Sequence, residues 1–249
     1  MIPRPPLSLS LSGLSREGPW GEGARSAIAW ASSAGFRAIQ LDAAMPGIRP
    51  RELDRSARRD LAAILRRSEL ALSGLDLWIP PEHFLSAALV GRAVEAAIQA
   101  FGLAAEISTL VGGSSAPVVS MLLPRELPAD VLQSLADAAM RASAAIADHA
   151  AEPRDGPIPV GIGIDPAALV LAGIDVVSAV SKAGSHLASA RLSDASLAGR
   201  TAPLSPAGRV DGSAYAAALS VVAYSRPVVL DLRGVAEQPA AAARALELW

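Results

Sequence analysis

The stretch Pro159–Gly173 reads PVGIGIDPAALVLAG and contains the transition that decides the fold. Val160–Ile164 is a short apolar run, typical of a buried strand, and Asp165 and Pro166 follow it immediately. Asp and Pro are favoured at the N-cap and the first position of a helix, and the Ala-rich run that comes next has a helical pattern. The stretch therefore predicts a strand that passes directly into a helix, which is the repeating step of a parallel α/β fold.

The same step recurs along the chain, because strand patterns alternate with Ala-rich helical patterns from end to end. Repeated βα units predict a parallel sheet with right-handed crossovers. The predicted strands are Leu7–Leu14, Ala38–Asp42, Leu70–Ile79, Pro117–Leu123, Val160–Ile164, Leu187–Leu192 and Pro227–Leu232. The predicted helices are Ala24–Ala34, Ser56–Ser68, Leu89–Val111, Pro128–His149 and Ser213–Ala223, with further helices from Pro166 and Pro239.

This pattern contains seven strands, one fewer than a closed (β/α) barrel of the TIM type. The segment His149–Pro159 is too short to hold both a further strand and a further helix. We therefore expect a TIM-type α/β barrel that is shortened or irregular around residues 149–160, with a doubly wound open sheet as the alternative. No linker divides residues 1–249, which favours a single domain.

Composition narrows the classes of function. The 249 residues carry a formal net charge of −2, with 51% hydrophobic and 18% charged residues, so the chain can bury a large core and offers no general basic surface for nucleic acid. Cysteine is absent, which excludes disulfides and thiolate chemistry. The N-terminal segment lacks a signal-peptide pattern and no apolar run is long enough for a membrane span. We expect a cytoplasmic protein with a small-molecule partner, and its oligomeric state stays open.

Charged residues collect near the carboxyl ends of the predicted strands. In a parallel barrel these ends share one face, and active sites lie on that face. An acidic, arginine-rich surface at this end of the barrel is typical of a site for a polyol or a phosphorylated substrate, with or without a divalent metal. The residues concerned are Asp42, Asp76, Asp165, Arg191, Asp194, Asp231 and Arg233.

Each carboxylate also has a structural interpretation. Asp165 can cap the helix that follows it, and Asp42 can close a turn. Asp231 can pair with Arg233, two positions further along the chain. Asp76 lies in an apolar strand, where a buried carboxylate needs a partner or a ligand.

The remaining candidates are an arginine and the histidines. Arg191 lies in a buried-looking strand, which indicates an anionic partner for its guanidinium. His83 lies beside a strand end and can bind substrate or simply belong to a loop. We interpret His149 and His186 as structural.

Several segments together resemble the sugar phosphate isomerase/epimerase family, whose members are xylose isomerase-like barrels. The similarity is one of order and spacing and covers most of the chain. The segments are GFRAIQLDA at 35–43, LALSGLDLWIPPEHF at 70–84, GIGIDPAALVLAG at 161–173, ASARLSDA at 188–195, AGRVDGSAYAAAL at 207–219 and PVVLDLRG at 227–234.

The resemblance implies a divalent metal (Mn, Mg, Co or Zn) held by Glu, Asp, His and Glu at four strand ends. Asp165 matches the Asp ligand, and Asp231 stands where the last Glu would be. The histidine of the family's Asp-x-x-His motif is Ala168 here, and the histidine ligand three residues before Asp194 is Arg191. The strand of the first Glu is not among the predicted ones. We therefore expect a weak, incomplete metal site or none, with Arg191 supplying the positive charge.

The resemblance also implies an isomerase or epimerase that moves a proton beside the carbonyl of a sugar or sugar phosphate. Such chemistry needs a carboxylate base and a group that stabilises the enediolate. Asp231 or Asp76 is the expected base and Arg191 the expected stabilising group. The expected substrate-binding residues are Asp42, His83, Asp194 and Arg233. The alternative is a barrel that has lost catalysis and serves as a binding or scaffold protein, which the missing metal ligands favour.

Overall fold

Eight parallel strands pair around a closed ring in the computed structural model, which describes residues 4–150 and 160–249. The chain order runs around the ring without interruption, and the last strand pairs with the first. The TIM-type barrel is confirmed, and the ring excludes the open sheet. The strands are β1 (Leu7–Ser10), β2 (Ala38–Asp42), β3 (Ala71–Asp76), β4 (Val118–Met121), β5 (Ala145–Asp148), β6 (Gly161–Ile164), β7 (Leu187–Leu192) and β10 (Val228–Leu230).

Helices surround this ring, and a short antiparallel hairpin follows β7. The hairpin consists of β8 (Asp194–Ser196) and β9 (Gly199–Thr201). Short 3₁₀ turns occur at Pro50–Glu52, Pro81–Phe84 and Gly184–His186. The helices are α1 (Ala24–Ser33), α2 (Arg55–Arg67), α3 (Val90–Leu110), α4 (Ala129–Arg141), α5 (Pro166–Leu171), α6 (Val176–Ala183), α7 (Gly212–Val221) and α8 (Gln238–Leu248).

The expectation of a missing strand is wrong. The eighth strand, β5, lies inside the segment predicted as one long helix, Pro128–His149. The helix ends at Arg141, and Ser143 takes a left-handed conformation with φ of 56°, which turns the chain into the strand. Of the stretch predicted to be irregular, residues 151–159 lie outside the described residues.

The strands place apolar and polar side chains on opposite faces. In β1 the leucines alternate with Ser8 and Ser10, both of which are buried. The hydroxyl of Ser8 lies 2.6 Å from that of Ser73 in β3, so the two strands meet through polar groups across the barrel interior. The barrel therefore has a polar interior and an apolar layer between strands and helices.

One helix among the described residues, α3, is long and apolar enough to cross a membrane by length and composition alone. It contacts β3 and β4 as well as the neighbouring helices α2 and α4. Phe101, Leu103 and Ile107 are fully buried in that packing. Its apolar character is therefore explained by its place in the outer layer of the barrel.

Candidate functional site

Charged side chains converge at the carboxyl end of the barrel, which we call the mouth. They come from β3, from the ends of β6, β7 and β10, and from the hairpin strand β9. The group holds three carboxylates and three guanidinium groups, and we call it the Asp–Arg cluster. Its members are Asp76, Asp165, Asp231, Arg191, Arg200 and Arg233.

Arg191 lies at the centre of the cluster, and its side chain is only 6% exposed. Its Nη2 lies 2.5 Å from Oδ1 of Asp76, and its Nη1 lies 3.1 Å from Oδ2 of Asp231. The same Nη1 lies 3.5 Å from Oδ2 of Asp165. Burial acts to lower the pKa of Arg191, but the carboxylates of Asp76, Asp231 and Asp165 outweigh it and raise the pKa above its ordinary value. Arg191 is therefore a permanent, fixed cation.

Arg200 and Arg233 complete the cluster from its solvent side, with side chains 23% and 27% exposed. Arg200 reaches Oδ2 of Asp165 and Oδ2 of Asp231, both at 3.2 Å. Arg233 binds Asp231 through Nη2 at 2.5 Å and approaches Asp76 through Nη1 at 3.6 Å. These two arginines keep donor groups near solvent.

Asp165 is both a helix cap and a cluster member. Its Oδ1 accepts a hydrogen bond from the Ser193 hydroxyl at 2.6 Å and a longer one, 3.4 Å, from the backbone N–H of Ala168 in α5. Burial acts to raise the pKa of Asp165, but the charges of Arg191 and Arg200 and the Ser193 hydrogen bond lower it to about 2. The carboxylate is therefore firmly ionised at neutral pH.

Asp231 has a different electrostatic setting although it shares the same arginines. Burial raises the pKa of Asp231 to about 7. Arg191 opposes this rise, while the nearby carboxylate of Asp165 adds to it, because like charges disfavour ionisation. Asp231 therefore takes up and releases a proton near neutral pH.

A cavity of about 460 Å³ opens beside the cluster. Asp76, Asp165 and all three cluster arginines line it, together with Trp78, Ser120 and His149. Sequence reasoning missed Arg200, which the hairpin carries, and interpreted His149 as structural. The signal for His149 was its place directly after Asp148, which ends β5, but that strand was not recognised.

Three predicted substrate-binding residues lie outside this cavity. Asp42 ends β2, where its Oδ1 accepts from the backbone N–H of Ala44 at 2.7 Å. Asp194 accepts three backbone N–H groups on one oxygen, those of Ala195, Arg209 and Val210. His83 is half-buried in the 3₁₀ turn after β3. Their roles in substrate binding stay predictions, and Arg233 is the member of that predicted set that reaches the cavity.

No protein-family model matches this chain, and no curated protein matches it in sequence. Solved structures do match. A xylose isomerase domain protein from Planctomyces limnophilus is 18% identical with a TM-score of 0.69, covering 99% of this chain and 96% of that one. A sugar phosphate isomerase/epimerase from Parabacteroides distasonis is 13% identical with a TM-score of 0.68, covering 99% of this chain and 97% of its own. The IOLI protein, whose structure holds a zinc atom, is 16% identical with a TM-score of 0.62, covering 97% of each chain.

This chain has the xylose isomerase-like barrel fold. The likeness spans nearly the whole chain at low identity, so it establishes the architecture and leaves the chemistry to be argued from the site.

The mouth of this xylose isomerase-like barrel does not fit a divalent metal. Asp165 and Asp231 are the predicted ligands, and both already bind the guanidinium of Arg191. Oδ1 of Asp148, at the end of β5, accepts hydrogen bonds from the backbone N–H groups of Leu123 and Ala150. The described residues contain no group of three or more His, Cys, Asp or Glu side chains placed to hold a metal ion. A fixed guanidinium lies where the carboxylates converge.

A prediction about pH follows from Asp165. Its folded-state pKa of about 2 lies below the ordinary value of about 3.9, so the stabilisation by its ionised form is full above about pH 4 and is lost as the pH falls toward 2. We expect Asp165→Asn to be less stable than the wild type at pH 5. Between pH 5 and pH 2 the difference in free energy of unfolding should shrink by about 2 kcal/mol. Urea titrations at several pH values test this, and parallel curves for the two proteins would contradict it.

Proposed function

We propose that this protein binds a sugar or sugar phosphate in the mouth cavity and isomerises or epimerises it by moving a proton beside the carbonyl, without a metal. The observation that carries the proposal is the buried guanidinium of Arg191, held by Asp76, Asp165 and Asp231 at the mouth. A fixed positive charge beside a cavity stabilises an enediolate as that charge develops. The solved structures named for sugar isomerases share the fold, which supports the same general class of substrate.

The base is best assigned by its access to the cavity, because a base must lie within reach of the proton that it removes. Asp76 and Asp165 line the cavity, with side chains 4% and 7% exposed, whereas the carboxylate of Asp231 is 1% exposed, does not line the cavity and is covered by three arginines. Asp165 caps a helix, and a carboxylate whose pKa is lowered to about 2 is a weak base. We assign proton abstraction to Asp76 and electrostatic support to Asp231. Arg200 and Arg233, which retain partial exposure, supply donors for a phosphate or an oxyanion of the ligand.

The test is hydrogen–deuterium exchange at the carbon beside the carbonyl, followed by NMR in D₂O with a panel of aldoses, ketoses and their phosphates. We expect the wild type to exchange that proton in at least one member of the panel. Asp76→Asn should lose about 10²- to 10⁴-fold in exchange rate, the usual range for a general base.

Asp231→Asn, measured at pH 8, is the matched control for this test, because it removes one negative charge from the same cluster without removing the assigned base. We expect it to retain much more exchange than Asp76→Asn. Equal losses of exchange rate in the two variants, with both still folded by circular dichroism, would contradict the assignment of Asp76 as the base. Such a result would mean that exchange depends on the intact cluster.

The second candidate is a binding protein without catalysis. The observation that favours it is the saturation of the cluster, in which Asp76, Asp165 and Asp231 all lie within ion-pair distance of guanidinium groups. A sugar phosphate that raises the melting temperature without any exchange would select this function. For both candidates we propose a single domain in the cytoplasm, with a small-molecule partner and without a membrane partner. The net charge of −2 offers no general basic surface, which supports a function without nucleic acid.

A further inference from the structure

A buried chain of hydrogen bonds crosses the barrel interior and ends at His149. The hydroxyl of Ser10 donates to Oε1 of Gln40 at 3.1 Å, and Nε2 of Gln40 donates to the hydroxyl oxygen of Ser120 at 3.2 Å. The Ser120 oxygen lies 3.2 Å from Nε2 of His149. All four side chains are buried.

The hydrogen bonds of Ser120 favour one tautomer of His149. The Ser120 oxygen accepts from the Gln40 amide and could accept a second bond, but its hydroxyl hydrogen also needs an acceptor, and no acceptor other than His149 lies beside it among the described residues. Nε2 of His149 is the neighbour placed to accept it. A neutral imidazole with an accepting Nε2 carries its proton on Nδ1.

That Nδ1–H is a buried donor without a partner among the described residues. His149 is only 7% exposed, and buried donors in native proteins normally have an acceptor. The residue also lines the mouth cavity, beside Arg191 and Asp165. An oxygen of a ligand bound in this cavity can supply the acceptor that Nδ1–H of His149 lacks.

Gly163 in β6 leaves the space that the ring occupies. A β-carbon at that position would lie 2.5 Å from Cγ and Cδ2 and 2.6 Å from Nδ1 of the imidazole, closer than real β-carbons approach other atoms. A glycine is therefore required for the ring to lie over the strand. Burial lowers the pKa of His149 well below its ordinary value, and the charge of Arg191 adds to this, so the ring is neutral at physiological pH.

We infer that His149 is a neutral hydrogen-bond donor whose Nδ1–H binds an oxygen of the ligand in the mouth cavity. In the proposed reaction that oxygen is the carbonyl oxygen, which becomes the enediolate oxygen. A neutral imidazole can donate to this oxygen without losing its proton. The inference rests on the proposed function, since it adds a catalytic residue to the same site.

The experiment uses the wild-type chain labelled with ¹⁵N, and its histidine ring nitrogens are observed by NMR. The chain has three histidines, so variants at His83 and His186 assign the signals. The probe is phosphoglycolohydroxamate, a planar analogue of an enediolate that carries a phosphate. We expect Nδ1 of His149 to be protonated in the free protein and to shift when the probe binds.

Two substitutions separate donation by Nδ1 from the bond at Nε2. The amide of Asn lies near the place of Nδ1, whereas the amide of Gln lies near that of Nε2. We therefore expect His149→Gln to weaken probe binding about 10- to 100-fold, the usual effect of losing a hydrogen bond to a charged group, and His149→Asn to weaken it much less. His186→Gln, at an exposed position, should bind like the wild type.

The outcomes distinguish this inference from the proposed function. If the probe or a sugar phosphate binds but Nε2 carries the proton, or if the Nδ1 signal does not respond, the inference is wrong and the proposed function stands. Equal affinity of His149→Gln and the wild type would overturn it in the same way. If neither the probe nor any sugar of the panel binds, both the proposed function and the inference are wrong.

Discussion

Replacing Arg191 with methionine should lower the free energy of unfolding by about 3–5 kcal/mol at pH 8, the usual cost of leaving a buried charge without its partner. The methionine keeps much of the side-chain volume, so the loss reports charge and hydrogen bonding more than a cavity. Three carboxylates, those of Asp76, Asp165 and Asp231, would then share the two partly exposed guanidinium groups that remain. At pH 8 Asp231 is largely ionised in the wild type, because its pKa is about 7. Loss of Arg191, which lowers that pKa, raises it further in the variant, so part of the cost is the uptake of a proton by Asp231.

A double-mutant cycle with Asp76→Leu provides the control. Asp76→Leu alone removes one negative charge and should also destabilise the protein by several kcal/mol. The double variant leaves two carboxylates with two guanidinium groups, so the charges balance again. We expect its loss in free energy of unfolding to be much smaller than the sum of the single losses. Additive losses in urea titrations would contradict the cluster as a unit held by mutual charge compensation.

The cluster gives the mouth an unusual electrostatic character. Its six formal charges cancel when all groups are ionised, yet the charged atoms are held rigidly and partly out of water. Fixed charges in such a setting act on a ligand more strongly than the same charges in solvent. A cluster of this kind need not stabilise the fold, because ion pairs replaced as a whole by apolar residues are often neutral in energy. We propose that its value lies in the field that it applies to the cavity.

Much of the barrel could be predicted from the sequence where strands carry a distinctive pattern. Ala38–Asp42 and Leu187–Leu192 were predicted with the bounds that the structure shows. Strand β5 was missed because its sequence, AIAD, lies within an Ala-rich run and has Ile146 as its one β-branched residue. Alanine favours a helix intrinsically, and here the pairing of β5 with β4 and β6 overrides that preference.

The convergence of the cluster was predictable for the residues at strand ends, because parallel strands bring those ends to one face. The place of Arg200 in the cluster was not predictable, since Arg200 lies in a hairpin after β7 and the sequence contains no pattern that predicts the path of this hairpin. Asp194 shows the reverse problem. It has the same position and chemistry as the cluster residues, but its oxygen accepts the backbone N–H groups of Ala195, Arg209 and Val210. A strand-end carboxylate can organise a loop as readily as it can line a site.

Replacing Arg191 with histidine should make the mouth respond to a divalent metal. The resemblance places a histidine ligand at this position, and an imidazole there would join the carboxylates of Asp165 and Asp231. Without metal, we expect Arg191→His to be destabilised about as much as Arg191→Met, because the same cation is lost. Addition of Zn²⁺ or Mn²⁺ should then raise its melting temperature, since a ligand present at 100 times its Kd stabilises a protein by about 2.7 kcal/mol.

Two matched proteins decide whether that response is specific. The wild type should show no change in melting temperature with either metal or with a chelator, because its guanidinium groups already occupy the carboxylates. Arg191→Met should also fail to respond, since it removes the same cation without adding a ligand. An equal metal-dependent rise in the wild type would mean that Arg191 does not exclude the metal. No rise in Arg191→His would mean that Arg200 and Arg233, which bind Asp165 and Asp231 from the solvent side, are sufficient to exclude it.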